Sequence, residues 1–330
     1  MKISLMWRRL PMVLAALGGN ASCASSAPIT PPPLKLERTI ALPNVAGRID
    51  HLAIDLQGGR LFVAEVGNGS VDMIDLPRGV VVGRISGLKE PQGVAWLPNR
   101  GELAVASGGD GTVRFYREAD LAPAGVMQFG DDADNLRVDP ANGHLVLGYG
   151  SGALVVIDPA TRSVLKRVAL PAHPEGFRLF GDKAIVNVPD ARRVMVVNLT
   201  SGGVEADWRA KYRLNFPMAI DKETAALVFR WPAKLVTMNV KTGAITTDVS
   251  TCGDSDDIFF DPRRHRLMVS CGSGVVEVFG EASGTYRSLG TTFTRSGART
   301  ALFVPELDRL FVAVRASSDH TAEIRVLRPT

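Results

Sequence analysis

Apolar and polar residues alternate along this chain in short runs, each ended by Gly, Asn, Asp or Pro, and the runs come in similar groups. A group opens at Leu52 (LAID), Val94 (VAWLP), Leu136 (LRVDP), Phe177 (FRLF), Met218 (MAID), Ile258 (IFFDP) and Ala301 (ALFVP), at steps of 42, 42, 41, 41, 40 and 43 residues. Period-two alternation inside a repeat of that length predicts the four-stranded blade of a β-propeller, not a helical repeat. The first group shows the plan. Strands are predicted over 52–54, 60–64, 71–75 and 80–85, rich in Val, Ile and Phe and separated by Gly- and Asn-containing turns. No group has helical periodicity, so the predicted class is all-β.

The seventh group stops after three strands, because the chain ends soon after 323–327. One apolar run is left over at the other end, and its Thr39-Ile40-Ala41-Leu42-Pro43 matches Arg167-Val168-Ala169-Leu170-Pro171, the close of the third group. Residues 34–42 are therefore predicted to fill the fourth place in blade seven. This closes the ring and removes exposed strand edges. A single seven-bladed propeller over 34–330 follows. Residues 25–33, with Pro31-Pro32-Pro33, read as a stiff tether.

Residues 1–24 have the form of a secretion signal: Lys2, Arg8 and Arg9, then an apolar stretch over 10–17, then small residues. Two fates remain open, cleavage after Ala24 for a periplasmic or secreted protein, or lipid attachment at Cys23. The apolar stretch is too short for a membrane-spanning helix in the mature chain. Without the three leader cations, 35 basic residues stand against 34 acidic ones. This balance gives no reason to expect nucleic-acid binding, and a monomer is the simplest expectation. Export also suits the two remaining cysteines, Cys252 and Cys271, which fall on one side of the sixth blade and are expected to form a disulfide.

Residues 60–64 with 71–75, and Leu154-Val155-Val156-Ile157-Asp158-Pro159-Ala160-Thr161, resemble the repeat of the YVTN family of exported, YncE-like seven-bladed propellers. The resemblance runs over 34–328 and is worn in the fourth, fifth and seventh groups. It implies the fold and an exported location; propellers host unrelated functions, so it implies no activity. The Trp-Asp pairs of WD repeats are missing and Gly-His occurs only at Gly143-His144, while the double glycines expected of kelch blades are not periodic. Four tryptophans are too few for tryptophan-docked blades.

In such a ring, the segment entering each inner strand lies at one mouth of the central channel. The position two before each group reads Asp50, Gln92, Asp134, Glu175, Phe216, Asp256 and Arg299, and the next adds His51, Asn135 and Asp257. Carboxylates and amides at equivalent positions predict a channel mouth that binds a cation, with calcium or magnesium as candidates, or a polyhydroxylated or amine-bearing ligand. The same side chains also satisfy turn amides in ordinary loops. Trp231, in a Phe-Arg-Trp-Pro loop on the same side, is a candidate contact anchor for a ligand or a protein partner, unless it wedges between blades. Binding is thus the first reading. A metal-assisted lactonase or lyase is the alternative, with His51 or His173 moving the proton. No GxSxG elbow, CxxCH site or clustered zinc ligands occur.

Overall fold

Twenty-eight β-strands form seven four-stranded antiparallel sheets among the described residues of the computed structural model, 31–330. The leader 1–24, Cys23 and most of the 25–33 tether lie outside the described residues. No α-helix occurs among them, only one short 3-10 turn at Val66–Asn68. Blades one to six cover 52–86, 91–128, 133–169, 177–209, 213–250 and 255–293, each with its strands in chain order from the channel outward. Packing of each inner strand against the next, and of blade seven against blade one, completes a ring.

The middle strands explain why the sheets stack. Leu61, Phe62, Val63 and Ala64 are all buried, so both faces of blade one are apolar and both must be covered. The second strands Glu102–Ser107, Leu145–Tyr149 and Arg266–Cys271 repeat the pattern. One face of each sheet joins its neighbour's in a cluster of Val, Leu, Ile and Phe, and the shared core is the glue between blades.

Blade seven is built as expected. Its first three strands are Ala301–Val304, Arg309–Val314 and Glu323–Pro329, and Leu34–Ala41 pairs antiparallel with the last of them. Residue Glu37 is skipped in this pairing, a bulge between Leu36 and Arg38. Leu165 is skipped in the same way in blade three, where Lys166 pairs with Val156 and Val164 with Ile157. Each skipped residue lies three before the buried Ile40 or Val168, so the distant strand reproduces even the irregularity of an ordinary fourth strand. Ile40 and Leu42 then enter the core between blades seven and one, beside Ile49, Leu61, Phe311 and Ile324.

Cys252 precedes the inner strand of blade six and Cys271 ends its second strand; their Cα atoms are 6.0 Å apart and the sulfurs are joined. A link closing 19 residues stabilises by about 3 kcal/mol through loop entropy. Reduction, or Cys271→Ser, is expected to lower the free energy of unfolding by about that amount in urea titration; equal stability of the oxidised and reduced forms would contradict it. Ile40→Ala is expected to cost about 2–5 kcal/mol, against less than about 0.5 for Leu36→Ala on the solvent side of the same strand. Comparable losses at the two positions would mean that this strand does not fasten the ring.

Candidate functional site

The mouth of the channel is assembled where chains enter the inner strands. In blades two, three, five and six that entry is already strand, running Pro91–Leu97, Ala133–Val138, Arg213–Asp221 and Ser255–Asp261, instead of loop. The register slips there, between Pro91 and Val94, Ala133 and Leu136, Asn215 and Met218, and Ser255 and Asp257. Gln92, Asp134, Asn135, Phe216 and Asp256 fall in these slips, so β-bulges turn their side chains toward the opening. Two glycines make room for the neighbouring blade. A Cβ on Gly93 would lie 2.0 Å from the Asp134 carbonyl oxygen, and one on Gly176 would lie 2.4 Å from that of Phe216.

Eight of the sequence-selected positions line one opening: Asp50, His51, Asp134, Asn135, Glu175, Phe216, Asp256 and Asp257, joined by Arg48, Arg137 and Arg178. Asp50 and His51, adjacent in sequence, share one side of the opening. They lie ahead of the strand Leu52–Asp55, where alternation does not apply, and His51 Nδ1 is 3.7 Å from an Asp50 oxygen. Gln92 and Arg299 stand at the rim as connectors. Gln92 accepts from Arg48 at 3.0 Å and donates to Asp132 at 3.1 Å, while Arg299 pairs with Asp254 at 2.8 Å and Asp256 at 3.1 Å. Trp231 is apart from the opening, 69 % exposed at the end of the strand Thr224–Trp231, and wedges between no blades. Strand alternation sends Arg230 the other way, onto the Asp256 carboxylate and over the Phe216 ring at 4.2 Å.

Cations matched to the acids are what the sequence reading missed. Asp50 pairs with Arg48, Asp256 with Arg230 and Arg299, and Asp134 with His173 at 3.6 Å. Arg48 is only two residues from Asp50, but Arg230, Arg299 and His173 reach their acids from other loops or blades, where no local spacing reveals them. The Asp134 carboxylate, helped by the Gly150 carbonyl 2.6 Å from Nδ1, raises His173 to about 9. Burial opposes charge on Asp134, yet His173, His51 and Arg48 hold it below the usual carboxylate range. The remaining acids go the other way. Burial, then the nearby Asp134 charge, pushes Glu175 up to about 8, and burial with the Asp256 charge brings Asp257 to about 7. Glu175 is thus largely a neutral hydrogen-bond donor at neutral pH.

Two polar atoms at the opening are buried without a partner, His51 Nε2 and Asn135 Oδ1. Unsatisfied groups of this kind are costly and mark a place where something else bonds. Among the described residues, no three His, Cys, Asp or Glu side chains converge in the manner of metal ligands. Asp50, Asp256 and Asp134 are engaged by arginines and His173 instead.

No family model matches the chain, and no curated protein matches its sequence. Solved structures do. A chain in the crystal structure of a mitotic checkpoint complex superposes with a TM-score of 0.76 at 16 % identity, over 98 % of this chain and 99 % of that one. A chain of Kuenenia stuttgartiensis hydrazine synthase superposes at 0.71 and 14 % identity, over 86 % and 97 %. Likeness at such identity establishes a β-propeller and no more.

The His173 to Asp134 pair gives a pH test. A histidine raised from 6.5 to about 9 contributes stability in full below pH 6.5 and loses it as pH rises through about 9. Imidazole NMR is expected to find His173 protonated at pH 7.5 in the wild type and largely neutral in Asp134→Asn. A midpoint unchanged by that substitution would break the assigned pairing.

Proposed function

We propose that this protein is an exported binding propeller whose channel mouth recognises a small polar ligand. The reading rests on one observation above all: side chains from five blades converge on a single opening that still holds unpartnered His51 Nε2 and Asn135 Oδ1. Here donors and acceptors stay available next to ion pairs that fix their positions, which is the preorganisation that binding sites need.

The leader-like 1–24 and the Cys252–Cys271 link support an oxidising, exported location, as does the resemblance to YVTN-repeat propellers. Among the described residues no helix is long and apolar enough to cross a membrane. Trp231, exposed on the side of the mouth, suits a partner or a larger ligand at the rim.

A thermal-shift screen of the purified mature protein against organic acids, amines, sugars, nucleotides and divalent ions tests the reading. At least one class is expected to raise the melting temperature, and Asn135→Ala together with His51→Ala to reduce that shift by at least half. A screen without any stabilising compound, or stabilisation indifferent to both variants, would overturn it. Turnover of a hit would replace binding by catalysis.

A further inference from the structure

Below the mouth, deeper along the inner strands, the channel opens into a second chamber of about 340 Å³, whereas the mouth itself holds about 50 Å³. Four side chains border both spaces: His51, Arg137, Arg178 and Asp257. They form a polar neck. Under it the walls are apolar, with Leu52, Val94, Val138, Phe259 and Leu302 facing the same space.

Arg137 and Arg178 make the neck unusual. Among the described residues neither forms an ion pair. Each guanidinium has one hydrogen bond, to the carbonyl just before it, at 2.7 Å to Leu136 and 2.9 Å to Phe177. Every other arginine of the mouth has a carboxylate within 4.0 Å. The two lie close enough to repel: burial, then the Arg137 charge, brings Arg178 down to about 9. The repeat shows that these charges are not required by the architecture. The position they occupy reads Ala53, Ala95, Ala219, Phe259 and Leu302 in the other blades. Two fixed cations with unused donors, placed side by side in a cavity, match the two oxygens of a carboxylate.

Resting on the binding reading above, we infer that the channel holds an organic acid with an apolar body, its carboxylate on Arg137 and Arg178 at the neck and its hydrocarbon or aryl part in the chamber below. His51 Nε2, buried and unpartnered at the neck, adds a further polar contact. The chamber is at the small end of the roughly 300–1,000 Å³ usual for ligand sites, which suits a ring or a short chain. A cation or an amine is disfavoured at the neck by both guanidiniums.

Calorimetric titration of the full mature chain with acetate, hexanoate, benzoate, hexanamide, benzamide and inorganic phosphate separates the possibilities. Affinity is expected to rise about fourfold per methylene added from acetate toward hexanoate. The amides should bind at least about tenfold more weakly than their acids. Arg137→Met and Arg178→Met should each weaken benzoate at least tenfold, while Phe293→Ala, at an exposed outer position, should change nothing. Amides equal to acids, phosphate preferred over every carboxylate, or acetate equal to hexanoate would each overturn the inference. Should the arginine variants fail to fold, the acid and amide comparison on the wild type decides it. Acids that do not bind, with another class binding at the mouth, would overturn this inference and leave the binding reading standing; no binding by any class would remove both.

Discussion

A sheet that is apolar on both faces must be covered on both, and that constraint orders everything else in this molecule. Leu61 to Ala64 leave no solvent side in blade one, and the equivalent strands of other blades behave alike. A linear stack of such sheets would leave two apolar faces in water at its ends. Seven of them bent into a ring leave none. Ring closure is therefore the thermodynamic answer to the sequence pattern, and its weakest joint is the place where chain continuity is absent. Leu34–Ala41 bridges that joint by supplying an outer strand to blade seven while Ile40 and Leu42 enter the core shared with blade one.

The same geometry produces the mouth. Inner strands begin around one opening, so whatever the chain carries at those positions is brought together without any further design. Bulges turn Asp134, Phe216 and Asp256 toward the space, and Gly93 and Gly176 let adjoining blades approach closely enough for one network to form. Ion pairs then hold the rim. Asp257 accepts from the Ala301 backbone at 2.8 Å and Thr300 donates to the Ile49 carbonyl at 3.2 Å, linking blades six, seven and one at the mouth itself. Blade closure and site organisation thus share residues.

Much of this was legible from repetition alone. The period located the blades, the missing strand of the seventh group identified its substitute, and equal positions in the repeat assembled Asp50, Asp134, Glu175 and Asp256. What stayed hidden has physical reasons. Bulges are a matter of backbone register, and nothing in Asp134-Asn135 or Phe216-Pro217 distinguishes a slipped strand from a loop. The charge balance of the mouth depends on Arg48, two residues from Asp50, and on His173 and Arg230, whose partners are set by tertiary approach, so an acidic composition was read where neutralised pairs exist. Arg137 and Arg178 did carry a signal. In LRVDP and FRLF the arginine takes a place that Ala, Phe or Leu fills elsewhere, and a departure from the repeat is a better guide to chemistry than conformity with it.

That distinction separates structural charges from the neck arginines. Removing an arginine from water costs several kcal/mol unless a carboxylate or a full set of acceptors compensates, and the rim arginines meet that condition. Arg137 and Arg178 have one carbonyl apiece, and each stands near a cation of the same sign. Neither forms an ion pair with the acids that act on it: Asp257, near both, is raised to about 7 by burial and offers at most a partial counter-charge at neutral pH, and Asp134, which also acts on Arg137, is already paired with His173. Five blades show that an uncharged side chain fits the position and keeps the ring intact. Two half-buried guanidiniums held there without an ion pair, over an apolar chamber, make physical sense as half of an interaction whose other half is an anion brought from outside.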